Sequence, residues 1–173
     1  ISHHVWIESK GVIWEHNTHI GDARATDMAH AGMVNVGQLM RERFGVQEVG
    51  LVGFASHRGT VLAASAWGEP EITFQVPPAV EGSHEDLLHQ SLGSSALLVL
   101  DPNRVGPWIS DQRGHRAIGV VYNPHNERGN YVPTVMGQRY DALVWLEETR
   151  ALEPIHHELQ PREPEYETEP SGC

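Results

Sequence analysis

Apolar residues along this chain occur in short runs separated by polar and glycine-rich segments, and the runs have the lengths of single strands. The run 49–54 (VGLVGF) is apolar throughout, as in a strand that is buried on both faces. The run 71–76 (EITFQV) alternates apolar and polar positions, as in a half-buried strand. In total the pattern predicts strands at 12–14, 49–54, 60–67, 71–76, 96–100, 117–122 and 141–146.

Two segments have the spacing of apolar residues that is typical of helices. In 33–44 these residues recur at intervals of three and four, Asn35 suits the N-cap, and Gly45 suits the helix end. The segment 83–92 begins at Ser83, whose hydroxyl can cap the first turn. Helices therefore alternate with strands in the first half, and strands dominate the second. This order predicts an α/β fold, a mixed-sheet domain flanked by helices.

The first predicted strand lies close to the start of the sequence, and no helix precedes it to cover its sheet. A sheet that is left open on one face exposes a large apolar patch. We therefore expect this chain to form the C-terminal part of a larger domain.

From residue 154 onward the composition shifts to proline and glutamate, with few large apolar residues. A segment of this kind has no apolar face to bury. The sequence therefore predicts a domain over residues 1–155 and an acidic, proline-rich disordered tail over residues 156–173.

The charge balance and the cysteine content exclude several kinds of site and partner. The formal net charge is -11 and Lys10 is the only lysine, so no basic surface is available for nucleic acid or for a membrane. No apolar run is long enough to span a bilayer, and the first residues do not resemble a secretory signal. The only cysteine, Cys173, allows neither an internal disulfide nor a cysteine-based zinc site. A cytoplasmic location is the expectation.

Candidate chemistry is concentrated in the loop that follows the predicted strand 12–14. This loop contains His16, Asn17, His19 and Asp22. Polar groups at the carboxyl ends of strands commonly line a ligand-binding crevice, and histidine can act there as general base, general acid or metal ligand. Because His16, His19 and Asp22 are spaced by threes, a metal site of the zinc type is an alternative to acid–base chemistry.

Residues 12–26 (VIWEHNTHIGDARAT) resemble the signature loop of the erythromycin esterase family, usually written Trp-Ala-His-Asn-x-His. Glu15 departs from this pattern, because the family usually has a small residue there. A carboxylate pointing inward at this position would raise the pKa of His16. Further segments resemble the family in order and spacing, and the resemblance spans roughly residues 11–155. These segments are 35–44 (NVGQLMRERF), 53–61 (GFASHRGTV), 140–146 (YDALVWL) and 149–154 (TRALEP).

The resemblance implies an α/β hydrolase that opens an ester or a macrolide lactone, an activity linked to antibiotic resistance. Water is the nucleophile and no cofactor is implied. The two histidines of the family's loop correspond to His16 and His19, which are the predicted catalytic residues. The family's other catalytic groups lie in a longer N-terminal half that has no counterpart here. The expected partners are therefore a small-molecule ester or lactone and that missing half.

Elementary chemistry points to the same reaction. Hydrolysis by water needs a base for the water and a donor for the oxyanion. Asn17 is predicted to orient a histidine, and Arg24 and Arg58 are predicted to offer positive charge, so these three are the predicted substrate-binding residues. A serine nucleophile is not supported, since the sequence contains no Gly-x-Ser-x-Gly motif. Two alternatives stay open, namely the metal-dependent hydrolase and a truncated domain without catalytic activity.

Overall fold

The computed structural model describes residues 10–153, and a mixed four-stranded sheet is its main element. The strands are β1 (Val52–Ala63), β2 (Ile72–Val76), β3 (Ala96–Val99), β4 (Gln112–Arg116), β5 (Tyr131–Val135) and β6 (Ala142–Thr149). The α-helices are α1 (Asn17–Ile20), α2 (Val36–Phe44), α3 (His84–Leu92), α4 (Pro102–Val105) and α5 (Met136–Arg139). Short 3-10 helices lie at Ala23–Ala25, Asp27–Ala31, Pro107–Ser110 and Pro124–Asn130.

The order of the strands confirms the predicted mixed sheet. In the order β2-β1-β6-β3, β1 and β6 run parallel and the other two pairs run antiparallel. β4 and β5 form a separate antiparallel pair. Within residues 10–153 no helix is long enough and apolar enough to cross a membrane. The predicted tail at 156–173 lies outside the described residues, so its disorder stays a prediction.

The two long helices form where the sequence predicts them, because their ends are capped. The side chain of Asn35 accepts a hydrogen bond from the backbone N–H of Gln38 at 3.0 Å, and Gly45 follows α2 with a φ of 89°. Ser83 caps α3 in the same way, and Gly93 ends it in the left-handed conformation. These side chains satisfy backbone donors that a helix leaves unpaired in its first turn.

One continuous strand, β1, replaces the two strands predicted at 49–54 and 60–67. The polar residues between the two apolar runs suggested a break, but the backbone stays extended because β6 pairs with it as far as Gly59. From Gly59 onward β1 also pairs with β2. Gly59 has a φ of 136°, and a Cβ there would overlap the backbone carbonyl of Thr149. Glycine is therefore required where the two pairings meet.

Within residues 10–153, one face of the four-stranded sheet packs against α3, and the other face keeps exposed apolar residues. Its inner face carries Ala55, Leu143 and Trp145, which are buried with Leu88 of α3 and with Tyr140. Side chains on successive strand residues alternate between faces, so the intervening positions form an outer face. The apolar residues of this outer face remain accessible, with Leu97 69% and Val99 53% exposed, and with Val52 and Phe54 also exposed. The structure thus has the open apolar face that the sequence led us to expect.

The prediction of a strand at 12–14 is wrong. Residues 10–16 have no strand pairing, and Val12 is 92% exposed. The edge of β1 next to this segment is not free, because the side chain of Asn17 takes both the N–H and the C=O of Phe54. An apolar run without a backbone partner cannot form a ladder, whatever its propensity.

The strand predicted at 117–122 is also wrong. This segment is irregular and makes a single bridge, between Ala64 and Val121. The strand lies just before it, at β4, whose sequence QRGHR is polar. Apolar periodicity cannot reveal a strand whose buried side chains are a histidine and an arginine held by hydrogen bonds.

We predict that Gly37→Ala destabilises the protein. A Cβ at this position of α2 would overlap the carbonyl of Ile20, the last residue of α1. Overpacking of this kind costs about 1–3 kcal/mol, which outweighs the roughly 1 kcal/mol gain in helix propensity. Urea denaturation measures the loss in the free energy of unfolding.

Gly50→Ala is the matched control. No atom lies within 4 Å of a Cβ at Gly50, and its φ is not positive. This variant should be neutral or more stable by about 0.4–1 kcal/mol. Equal stability of the two variants would contradict the close packing of α2 on α1.

Candidate functional site

The loop with the two histidines folds into α1, and His16 is its N-cap. The Nδ1 atom of His16 accepts from the backbone N–H of Thr18 at 3.3 Å and lies 2.9 Å from the Thr18 hydroxyl. Its Nε2 lies 2.6 Å from the carbonyl oxygen of Ile118, so this nitrogen carries the proton. These contacts select the neutral tautomer with hydrogen on Nε2.

The surroundings of His16 also favour its neutral form. His16 is accessible from the cleft, but the protein atoms packed around its ring partly desolvate it and lower the pKa of His16; the nearby His19, Arg139 and His115 lower it further, while the hydrogen bond to Ile118 opposes them. The condition under which Glu15 would raise this pKa is not met, because Glu15 is exposed, and desolvation of the imidazole is the dominant effect. His16 is uncharged at neutral pH.

Asn17 and His19 have different environments in the same helix. The amide of Asn17 donates to the carbonyl of Phe54 at 2.5 Å and accepts from the N–H of Phe54 at 3.0 Å. Asn17 thus pairs with β1 as a neighbouring strand would. His19 is exposed, with its ring 6.4 Å from that of His16 and nearly perpendicular to it.

A wide cleft of about 1240 Å³ lies between this loop and the outer face of the sheet. Its walls are mainly apolar, and the ring of Trp14 packs 5.6 Å from that of Phe54 on one side. The polar side chains that reach it include Glu15, His16 and Ser56. Large apolar clefts with a few polar groups are the usual form of small-molecule sites.

A buried ion pair lies on the other side of the loop. Glu85 and His115 are both 0% exposed, and His115 Nδ1 lies 2.5 Å from Glu85 Oε1. The backbone N–H of Arg116 donates to the same oxygen at 2.9 Å. Burial opposes ionisation of Glu85, but the charge and hydrogen bond of His115 outweigh it and hold the pKa of Glu85 below its usual value. Glu85 therefore stays a carboxylate.

This ion pair connects to the histidine loop through two further residues. The hydroxyl of Tyr140 lies 3.4 Å from His115 Nε2 and also 3.4 Å from the backbone carbonyl of Asn17. Arg139, which is 1% exposed, donates to that carbonyl at 3.3 Å and to Thr134 Oγ1 at 2.9 Å. The sequence does not reveal this group of residues, because they come together only through contacts between segments that are distant in sequence.

The two predicted arginines lie outside the cleft. Arg24 forms a two-pronged ion pair with Asp22, with its Nη2 2.7 Å from Asp22 Oδ2. Arg58 lies 3.6 Å from Glu148 and lines a separate, smaller pocket of about 470 Å³. Of the five predicted site residues, His16 and Asn17 line the cleft; His19, Arg24 and Arg58 do not. Their roles in binding or catalysis stay predictions.

The metal set His16, His19 and Asp22 is not assembled. Asp22 is buried and accepts from both Arg24 and Arg41. Burial of Asp22 opposes ionisation, but the hydrogen bonds from Arg24 outweigh it and lower the pKa of this carboxyl. Across residues 10–153, the group of metal-ligating side chains that do converge lies elsewhere.

We predict that Glu85→Gln lowers the free energy of unfolding by about 1–3 kcal/mol near neutral pH, because it disrupts the buried hydrogen bonds that the Glu85 carboxylate accepts from His115 and from the backbone N–H of Arg116. Because the pKa of Glu85 is lowered in the folded state, its contribution is present above the ordinary carboxyl pKa of about 4.3 and is lost as the pH falls further. Urea denaturation at pH 7 and at pH 3 measures both effects.

Glu81→Gln is the control for this variant, because Glu81 is exposed and precedes the same helix. Its effect should stay within about 0.5 kcal/mol. If Glu85→Gln behaved like Glu81→Gln at pH 7, the ion pair would not support the fold.

We also predict that the imidazole of His16 titrates below the unperturbed value of about 6.5 and keeps its proton on Nε2. Nitrogen-detected NMR over a pH series reports both the midpoint and the tautomer. The urea-unfolded chain serves as reference and should return to the unperturbed value. A midpoint above that of the unfolded chain would contradict the structural assignment.

Comparison with known proteins identifies the family. The sequence model described as erythromycin esterase matches residues 1–149, which confirms the resemblance seen in the sequence. A solved succinoglycan biosynthesis protein has a TM-score of 0.61 at 19% identity over 79% of this chain and 32% of its own. A protein from Bacillus cereus has a TM-score of 0.64 at 15% identity, over 79% and 33%. A mutant of the erythromycin esterase EreC in its open conformation has a TM-score of 0.43 at 17% identity, over 66% and 26%.

The first two similarities show a shared fold, and this chain spans about a third of the length of those two proteins. The family model, in contrast, extends over most of this chain and includes the loop that carries His16 and His19. The chain belongs to the erythromycin esterase family.

Proposed function

We propose that this chain provides one wall of a site in which water hydrolyses an ester or a lactone. Membership of the erythromycin esterase family supports a hydrolase-like function. The observation that carries the proposal is the position of His16, a neutral imidazole at an apolar cleft. Its loop is fixed by Asn17 on β1 and by buried Arg139 and Tyr140. A catalytic group held in this way needs little reorganisation when the substrate binds.

The hydrogen bonds of the two histidines suggest different roles. His16 presents an Nε2–H, which now binds the carbonyl of Ile118 and is suited to bind a substrate carbonyl instead. Such a donor stabilises the charge that develops on the carbonyl oxygen. His19 lies outside the cleft, and its ring nitrogens make no hydrogen bond within the described part of the chain, so we assign it the role of base in a site that the rest of the family domain completes.

The size and lining of the cleft favour a bulky, apolar substrate. A cleft of about 1240 Å³ with Trp14 and Phe54 in its wall exceeds what a small ester needs. We therefore favour a macrolide-type lactone over a small acyl ester, and with it a role in antibiotic resistance. A cytoplasmic location belongs to the same proposal and rests on the single cysteine of the sequence.

The partner that we propose is the remaining part of a full family domain. The chain covers 32% and 33% of the two solved proteins with the higher TM-scores, and the outer face of its sheet is open. A second polypeptide portion over this face would close the cleft, exclude bulk water and add the other catalytic groups. A non-catalytic domain is the alternative, and the activity measurements below distinguish the two.

We predict that the isolated 173-residue chain hydrolyses erythromycin and p-nitrophenyl esters at close to the uncatalysed rate, because missing acid–base and oxyanion groups each cost about 10²-fold or more. In a full-length family domain that contains this segment, His16→Ala and His19→Ala should each lower kcat/KM by about 10²-fold.

His125→Ala, at an exposed histidine of a 3-10 helix, is the control and should keep full activity. Circular dichroism verifies that every variant folds. Wild-type turnover in a folded His16→Ala, His19→Ala double variant would eliminate the catalytic role of the loop. Full turnover by the isolated chain would instead show that its site is complete.

A further inference from the structure

Three side chains capable of binding a metal converge on the inner face of the sheet, away from the cleft. His57 is on β1, His89 on α3 and Glu147 on β6. Each offers one ligand atom, and the three atoms lie within 4.8 Å of one another. We propose that His57, His89 and Glu147 form a binding site for a divalent transition-metal ion of the Zn²⁺ type.

The fold brings these residues together by strand register. Ser56 pairs with Leu146, and Arg58 pairs with Glu148, across the parallel strands β1 and β6. The intervening residues, His57 and Glu147, therefore lie side by side on the inner face. α3 packs on that face and places His89 over His57, with the two rings 3.7 Å apart and 6° from parallel.

The hydrogen bonding leaves ligand atoms free. Glu147 Oε1 lies 2.5 Å from His89 Nδ1, but Glu147 Oε2 is buried and has no hydrogen-bond partner among the described residues. A buried carboxylate oxygen without a donor is costly, and a bound cation would satisfy it. His57 makes one long contact, in which the N–H of Ala79 lies 3.5 Å from its Nδ1.

The surroundings of His57 suit a ligand. This residue is 6% exposed. A metal ion binds the lone pair of a neutral imidazole. Of the nearby arginines, Arg58 lies 3.6 Å from Glu148, and Arg116 donates to Glu127 and to backbone carbonyls, so the charges of both are already compensated.

The donor set indicates the kind of ion. Two imidazoles with one carboxylate form a known zinc arrangement that leaves a fourth position for water. Ligands about 2 Å from a tetrahedral ion lie about 3.3 Å from one another, and the three atoms lie within 4.8 Å of one another, so the group need contract by at most about 1.5 Å. Parallel rings cannot both point a lone pair at one ion, so His89 must rotate. Its side chain is 41% exposed at the end of α3, which allows this movement and gives the ion a route of entry.

Such an ion would join β1, α3 and β6, and it would lie on the face opposite to the cleft. Its role is therefore structural, and the proposal stands independently of the hydrolase function. A metal that binds the folded chain alone stabilises it in proportion to its affinity and concentration.

The test is titration of the 173-residue chain, freed of metal with a chelator, with ZnCl₂ in a calorimeter. Cys173→Ser, His156→Ala, His157→Ala is the background, because these terminal residues are rival zinc ligands. We expect one ion per chain and a rise in Tm of about 5 °C or more at 100-fold excess over Kd. Co²⁺ in place of Zn²⁺ should give the absorption bands of a low-coordinate site.

His89→Ala and Glu147→Gln should each weaken binding at least about 10-fold. Both positions are partly exposed, so these variants should fold, and circular dichroism confirms it. His30→Ala, at an exposed histidine elsewhere, should bind as the background does. Absence of one-to-one binding, or binding that survives in both ligand variants, would overturn the proposal. Loss of binding in His19→Ala alone would place the ion instead at the segment that contains His16 and His19 (residues 16–22, the α1 loop).

Discussion

The buried ion pair between Glu85 and His115 holds the two parts of this structure together. Glu85 lies in the first turn of α3, which covers the main sheet, and His115 lies on β4 of the separate strand pair. The buried carboxylate of Glu85 needs a hydrogen-bond donor and His115 supplies it, so this contact fixes the position of α3 relative to β4. The same histidine contacts the hydroxyl of Tyr140, which reaches the α1 loop. The position of the candidate site therefore depends on a charge pair that it does not contain.

The α1 loop shows how an irregular segment can be held as firmly as a strand. Its backbone carbonyls at Thr18 and Gly21 both accept hydrogen bonds from the side-chain amide of Asn35. The side chain of Asn17 both donates to and accepts from the backbone of β1. These contacts use side-chain amides where a regular structure uses the backbone. Because Asn35, the N-cap of α2, donates to carbonyls of this loop, the position of His16 depends on a residue that does not take part in the proposed reaction.

The sequence predicted those parts of the fold in which apolar pattern and local signals agree. α2 and α3 have capping residues and an apolar stripe, and β2, β3 and β6 have short runs rich in apolar residues, so all five are found near the predicted positions. β4 was missed because its buried side chains are polar and are stabilised by partners remote in sequence. The run 12–14 was misassigned because strand formation depends on a free neighbouring edge, which no local pattern can report.

Local signals and long-range contacts also divide the residues of the candidate site. A motif of contiguous residues indicates the loop with His16 and His19. Glu85, His115, Arg139 and Tyr140 come together only through the fold. Arg24 and Asp22 lie next to the motif in sequence, and they were therefore predicted to bind a substrate and a metal ion, respectively. In the structure they form an ion pair with each other. A position next to a motif in sequence is therefore not sufficient to place a residue in the site.

The open outer face of the sheet has a consequence for how copies of this chain behave in solution. Within the described residues β3 is an edge strand of the four-stranded sheet, and its Leu97 and Val99 are exposed. An exposed edge strand can form backbone hydrogen bonds with the edge strand of another copy of the chain. The net charge of -11 acts against it, because like-charged molecules repel at distances up to about 10 Å in 0.1 M salt. Colloidal stability of the isolated chain is thus a balance between edge pairing and charge repulsion, and added salt shifts it toward association.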